Sequence, residues 1–515
     1  MNETIQYQTL KEVFGYDSFR PGQKEIVDAL TAGRDVLAIM PTGAGKSICY
    51  QLPALLLPGV TVVVSPLISL MQDQVQALIQ MGVRAAYINS SLTENQCRKA
   101  LANAATGLYK IVYAAPERLL TPSFLRFAQS VPISLLCVDE AHCVSQWGQD
   151  FRPSYLQIQE FAAQLPQRPV IGAFTATATR RVSADIRQML ALQSPLEITT
   201  GFDRPNLFFE VQRLEGREKF PCLLAYLKEH PDRCGIVYCS TRKKVDEVYQ
   251  KLLDSDLPAA RYHAGMPPEE RQRSQERFLY DQVRVMVATN AFGMGIDKSN
   301  VSFVVHYNMP LDLESYYQEA GRAGRDGQPA DCILLYSGAD VRTGTFLIEN
   351  STPAQDADPQ EAQRQMLRQK DRLRQMTFYC HSSHCLRREI LRYFGQDGPA
   401  NCGGCSVCTP QQQRASVVKQ AIQDAARLRA IQEKGLDPAL LAKLKELRLS
   451  LARQAGVPAF VVFTDATLRA MCAQVPHTRA QLLEIPGVGV RKAEQYGQAF
   501  LQLLNQYTPK EDAPL

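Results

Sequence analysis

The sequence predicts an α/β protein: two parallel-sheet lobes, then a helical hairpin bearing four cysteines, then a small all-α unit. Three observations carry this. From Asp35 to about Ser337, short β-branched runs alternate with amphipathic stretches, as parallel strands wrapped by helices require. About 300 residues exceed one comfortable core, and the polar, turn-rich segment 199–206 interrupts the pattern midway, so two lobes flank a cleft. Beyond Glu349 the composition changes to a linker at 350–359, a Gln/Arg-rich helical stretch, a cysteine cluster and a final unit with apolar periodicity.

Taken in order, the first lobe is expected over 1–205, with strands at Val36–Ile39, Thr61–Val64 and Ser134–Val138. The second spans 206–345, with strands at Gly235–Tyr238, Arg284–Ala288 and Phe303–His306. Linker and cysteine hairpin occupy 346–410, a polar stretch 411–436, the helical unit 437–507 and a tail 508–515.

With 515 residues, 45% hydrophobic and 21% charged, the chain supports several cores and is not disordered throughout. Apolar runs such as 59–64 and 460–463 are far shorter than a membrane span, and Met1-Asn2-Glu3-Thr4 lacks the features of a signal peptide. An intracellular soluble protein without membrane attachment is expected. Ten of the 14 cysteines are scattered singly, which suits a reducing compartment. Residues 409–515 carry 14 Lys+Arg against 9 Asp+Glu, whereas the rest balances, so the basic excess of the tail hints at an anionic partner there.

Met40-Pro41-Thr42-Gly43-Ala44-Gly45-Lys46-Ser47 follows a strand and opens an amphipathic stretch, the context of a phosphate-cradling loop. Thr42, Gly43 and Gly45 let backbone amides approach the phosphates of ATP, Lys46 pairs their charge, and the Ser47 hydroxyl holds Mg²⁺. Met40 stands where Gly or Ala is usual. The strand Ser134–Val138 ends in Asp139-Glu140-Ala141-His142; Asp139 is placed to hold Mg²⁺ and Glu140 to polarise the attacking water. In the second lobe Arg322 and Arg325 are three apart, on one helical face, and can cross the cleft to the γ-phosphate. Without an ATP site they would read as surface arginines.

Cys143–Pro153 contains the chain's only tryptophan, Trp147, with Phe151 and Arg152. Aromatics stack on bases and arginine adds a phosphate or cation–π contact; a Trp closing a core is the plainer reading. Cys402-Gly403-Gly404-Cys405-Ser406-Val407-Cys408 with Cys385 suits a closed tetrahedral Zn²⁺ site that supports folding. Cys380, His381 and His384 compete as ligands, and an Fe–S cluster is an alternative.

These motifs, with Ser65-Pro66-Leu67, Thr175-Ala176-Thr177-Ala178 and Thr289–Asp297 in that order, resemble superfamily 2 helicases, specifically the RecQ family of DNA helicases. The resemblance covers about 8–408 and 437–507. It implies RecA-like lobes and a catalytic set of Lys46, Asp139, Glu140, His142, Gln318, Arg322 and Arg325. Phe14–Gln23 resembles the family's adenine-recognising segment, implying that Tyr16 and Arg20 sandwich the base while Gln23 bonds its edge. Cys385-Leu386-Arg387-Arg388 resembles the zinc hairpin and favours Cys385 as ligand. Residues 437–507 resemble an HRDC domain, in which the turn Ile485–Lys492 offers glycine amides, Arg491 and Lys492 to a DNA phosphate; a tight interhelical turn is the alternative. Ser65 and Thr289 are expected at the DNA backbone.

The implied activity is 3′-to-5′ unwinding of single-stranded and branched DNA in recombination, repair and the SOS response. The protein is expected to be a monomer in a bacterial, nucleoid-associated cytoplasm, with a single-strand-binding protein as partner. An RNA helicase, or a DNA-stimulated translocase or remodeller that does not separate strands, is the alternative. One departure stands out: only 28 residues separate Cys408 from Asp437, too few for the winged helix that many RecQ proteins carry there.

Overall fold

The computed structural model describes residues 3–148, 150–292, 298–350, 359–409 and 437–507. Gln149, the 293–297 part of the Thr289–Asp297 segment, most of the 350–359 linker, the 411–436 stretch and the 508–515 tail lie outside the described residues.

Seven strands form the first sheet: β1 (Val36–Ile39), β2 (Val60–Val64), β3 (Ala85–Ile88), β4 (Ile111–Ala114), β5 (Ile133–Val138), β6 (Val170–Thr175) and β7 (Leu196–Thr199). Six form the second: β8 (Leu207–Arg213), β9 (Gly235–Tyr238), β10 (Ala259–Tyr262), β11 (Val285–Ala288), β12 (Phe303–His306) and β13 (Ala330–Tyr336). Every ladder is parallel. Helices cover both faces, so β1, β2, β4, β9, β11 and β12 are buried along their whole length. That is why these runs read as continuously apolar rather than alternating.

Strand order positions the site. The first sheet runs β3-β4-β2-β5-β6-β1-β7, so β5, β6 and β1 are adjacent. Ile39 pairs with Thr175, and Val138 with Ala173, so the phosphate loop, Asp139 and the Thr175–Thr179 segment emerge side by side at one carboxyl edge. The second sheet runs β10-β11-β9-β12-β13-β8.

The cysteine hairpin closes an open edge. Phe209 of β8, an edge strand, donates to Gly404 O at 3.2 Å and accepts from the Ser406 amide at 2.9 Å. Backbone groups that would template another strand are thereby partly satisfied. The 23-residue helix Pro359–His381 leads into this hairpin as expected. The last unit is all-helical, with Leu444, Phe463, Leu468, Val488 and Phe500 fully buried in its core. No helix among the described residues is long and apolar enough to cross a membrane.

Candidate functional site

Gly43 and Gly45 hold positive φ, 84° and 79°, so the loop after β1 turns tightly before the helix Lys46–Leu56 begins. Side chains disfavour that region, which is why glycine stands at both positions. Lys46 lies over the loop, with Nζ 3.1 Å from Met40 O. Burial pushes its ammonium down, against the pull of Glu140 and Asp139. Asp139 is pushed up, first by burial and then by the Glu140 charge, while Lys46 opposes. Both shifts favour neutral forms, the response of a buried site built for charges that come with its ligands. Glu140, at φ 49°, puts Oε2 3.3 Å from His142 Nδ1, which lies 2.9 Å from Thr175 Oγ1.

The second lobe completes the cleft. Gln318 donates through Nε2 to Thr177 Oγ1 at 2.9 Å, and Thr42 Oγ1 donates to Gly321 O at 2.9 Å. A Cβ built on Gly43 would touch the Arg325 side chain at 3.6 Å, so the lobes meet across the phosphate loop. A cavity of about 380 Å³ is lined by Tyr16, Arg20, Lys46, Asp139, Glu140, Gln318, Arg322 and Arg325 among others.

Several sequence-predicted contacts are placed otherwise. Gln23 lines the cavity with its amide already paired: Nε2 donates to Ala44 O and Gly45 O, and Oε1 accepts from the Arg20 amide. Arg20 reaches Gly43 O at 2.6 Å. Ser65, expected at the DNA backbone, directly follows β2 and is fully buried, with no hydrogen-bond partner for its Oγ among the described residues. Thr289 is also buried, at 8% exposure. Arg152 is a brace: its guanidinium donates to Asp150 and to Pro66 O at 2.7 Å, tying the tryptophan loop to the segment after β2. Phe151 and Trp147 are half-buried, and guanidinium groups of Arg181 and Arg368 lie over the Trp147 ring.

In this structure the turn expected to meet phosphate in the last unit meets protein. The Gly487 amide donates to Gly15 O at 2.7 Å, and a Cβ on Gly489 would stand 2.8 Å from Val13 O. That turn is packed on the first lobe and its Gly487 amide is taken. Arg491 remains exposed, 3.7 Å from Glu494, whereas Lys492 is half-buried and pushed down to about 8 by burial.

Cys385, Cys402, Cys405 and Cys408 bring their Sγ atoms within 4.8 Å of one another. Tetrahedral thiolate coordination of Zn²⁺ needs sulfurs at about this spacing, so the residues fit the metal. Cys380 is outside the group; its carbonyl accepts from Arg213 Nε. His381 Nε2 is paired with Tyr336 Oη at 3.0 Å. Arg387 buttresses the cluster by donating to Leu207 O and Arg204 O.

Sequence reasoning missed Arg204. From the junction between lobes it donates to Thr42 O at 2.9 Å and to Ala323 O and Gly324 O at 3.0 Å, bracing the phosphate loop against the double-arginine segment. A lone arginine in a polar turn carries no periodic signal.

Family models match in the same order: DEAD/DEAH box helicase at 20–186, helicase conserved C-terminal domain at 218–327, RecQ zinc-binding at 338–409 and HRDC domain at 437–504. The chain is 39% identical to the ATP-dependent DNA helicase RecQ of Bacillus subtilis (strain 168), over 98% of this chain and 99% of that one. It is 35% identical to the protein of the same name from Pasteurella multocida, over 97% and 93%. Both alignments span more positions than this chain's 515 residues, 594 and 602, so each relative carries residues that this chain lacks. In fold it is similar to the Mycobacterium smegmatis helicase Lhr bound to ssDNA and AMP-PNP, with TM-score 0.51 at 17% identity over 71% of this chain and 56% of that one.

Proposed function

The chain belongs to the RecQ family and is an ATP-hydrolysing DNA helicase, and from that premise we propose that it moves 3′ to 5′ along single-stranded DNA with Mg²⁺ as cofactor. The observation that supports ATP-driven movement most is the cleft in which Lys46, Asp139 and Glu140 of one lobe face Gln318, Arg322 and Arg325 of the other, and the 3′-to-5′ polarity is what the family resemblance implies.

In this reading the phosphate-loop amides and Lys46 hold the β- and γ-phosphates, and Tyr16 and Arg20 flank the adenine. Gln23 exchanges its bonds to Ala44 and Gly45 for the edge of the base. Ser47 and Asp139 would hold Mg²⁺, which when bound would supply charge neutralisation at the phosphates. Glu140 orients the attacking water, with His142 setting its position through Thr175. Arg322 and Arg325 stabilise the transition state from across the cleft, and Gln318 reports closure to Thr177. Release of phosphate lets the lobes part and one of them advance along the strand. Trp147 and Phe151 meet the bases, Arg491 and Lys492 meet phosphate when the last unit leaves the first lobe, and the four cysteines would hold Zn²⁺, which would support the fold of the hairpin. The units follow the boundaries 1–205, 206–345, 346–410, 411–436 and 437–507. The setting is recombination and repair in a bacterial cytoplasm, as a monomer beside a single-strand-binding protein.

The test is ATP-dependent unwinding of a 3′-tailed DNA duplex beside 5′-tailed and RNA duplexes at one salt concentration. Unwinding confined to the 3′-tailed DNA is expected; equal use of the 5′ tail or of RNA refutes the polarity or the substrate. The short 28-residue connection between Cys408 and Asp437 favours a second reading, translocation that strips bound protein without splitting strands. DNA-stimulated hydrolysis with no unwinding would select it.

A further inference from the structure

Three arginines that the proposed reaction leaves unused hold the tryptophan loop from outside. The guanidinium carbon of Arg181 lies 3.1 Å from the Trp147 ring centroid and that of Arg368 lies 4.0 Å from it. Two planar guanidinium groups so close to one centroid would overlap on a single face, so they take opposite faces. Arg372 donates to Gly148 O at 3.1 Å and to Trp147 O, and Arg368 reaches Gln146 Oε1 at 3.4 Å. Neither face of the ring is open to a base in this arrangement.

The same arginines touch elements that end in the cleft. Arg181 lies in the first turn of the helix Arg180–Met189, directly after the segment in which Thr175 meets His142 and Thr177 meets Gln318. Arg372 interacts with the carboxylates of Asp312 and Glu314. These stand at the start of the helix Leu313–Ala320, which carries Gln318 and runs on into Arg322. Loop position is in turn tied to the hydrolytic residues, because Gly148 is folded so closely on His142 that a Cβ there would sit 2.3 Å from His142 O.

We propose that Arg368 and Arg372 are positioning residues that latch the tryptophan loop in its DNA-free place, and that single-stranded DNA opens the latch. A base takes a face of Trp147, a phosphate takes the released Arg368, and Arg372 transmits the shift of the loop to the Leu313–Ala320 helix. The exchange is close to balanced, since base stacking on an aromatic ring and a desolvated cation–π contact are of the same order. The inference rests on the DNA-dependent reading above.

Trp147 is the only tryptophan, so intrinsic emission of the full chain reports this ring alone. Emission and ATP turnover are measured with and without oligothymidylate for the wild type, Arg368→Gln, Arg372→Gln and Arg372→Lys. The glutamine variants are expected to show DNA-free emission shifted towards the DNA-bound value and DNA-free turnover raised about fivefold. Turnover at saturating DNA and KM for ATP stay within about twofold, and lysine at 372, with one donor group in place of a fork, restores part of the latch. A wild type that responds to DNA while both glutamine variants behave like it overturns the latch alone. Weaker DNA binding by Arg368→Gln at unchanged DNA-free turnover makes Arg368 a simple DNA contact and also overturns it. A wild type indifferent to DNA in both readouts sinks the underlying reading together with the latch.

Discussion

The amide of Gly487, in the helical unit, donates to the carbonyl of Gly15, at the nucleotide segment of the first lobe, at 2.7 Å. Around this bond Tyr496 Oη donates to Gln80 at 2.7 Å, and Arg469 lies 3.9 Å from Asp326, next to Arg325. The helical unit therefore touches both lobes beside the ATP cleft, with Gly487 and Gly489 of its turn facing protein.

Gly489→Val should separate the unit from the first lobe, because the new side chain meets backbone, Val13 O and Glu12 O, which cannot yield as a side chain would. The radius of gyration from solution scattering is expected to rise. Lys492 is then uncovered beside the already exposed Arg491, so DNA binding tightens and its salt dependence steepens. An unchanged radius would show that the two surfaces are already apart in solution.

Lys46→Ala removes the half-buried cation over the phosphate loop and should lower ATP turnover by about 10³-fold, with or without DNA. Steady-state hydrolysis checks this; retention of a tenth of the wild-type rate would assign the phosphate charge to another residue.

Trp147→Ala should spare basal hydrolysis, raised by at most the about fivefold expected of Arg368→Gln because Arg368 loses its ring, and should blunt stimulation by single-stranded DNA. The ring is stacked between arginines at the loop surface and is not part of the cleft lining. Full stimulation in the variant would return Trp147 to a purely packing role.

Metal analysis of the wild type should give about one zinc per chain. Cys405→Ser should lose most of it, because Cys405 is the fully buried member of the four. The bridge between Cys405 and Phe209 of β8 would loosen as well, which limited proteolysis of the hairpin reads out. Unchanged zinc in the variant would refute the ligand set.

Glu314 is buried, and its carboxyl is pushed up to about 7, first by burial and then by the Asp312 charge, with Arg372 opposing. The folded state thus keeps a proton that the unfolded chain releases near the ordinary value of 4.5. Between those values stability falls as pH rises, by a total of order 1–3 kcal/mol. Glu314→Gln should flatten that slope and raise the Tm at pH 8 relative to wild type while leaving pH 4.5 little changed. Parallel Tm-versus-pH curves would remove Glu314 from the cause.

Much of the site was legible in the sequence because its chemistry is local. Lys46 and Ser47 follow their glycines within one loop, Asp139 and Glu140 directly follow one strand, and three of the four clustered cysteines fall within seven residues. Strand positions were legible as well, since Val36–Ile39, Gly235–Tyr238 and Phe303–His306 are continuous apolar runs, as burial on both faces demands. Exposure was not: Ser65 and Thr289 sit in recognisable motifs, yet whether a hydroxyl faces DNA or the core depends on the neighbouring strand and helix.

By itself, then, the sequence determined which short segments can bind phosphate, thiophilic metal and helical neighbours, because spacing along the chain sets which donors share a loop, a strand end or a helical face. Only the tertiary structure decided how those segments are used against each other. The Gly15–Gly487 contact, the reach of Arg204 to Thr42 and Gly324, and the arginine sandwich of Trp147 join residues far apart in the chain. Such pairings arise when whole elements pack and bury polar groups that must find partners, and neither periodicity nor composition encodes which distant group will be there.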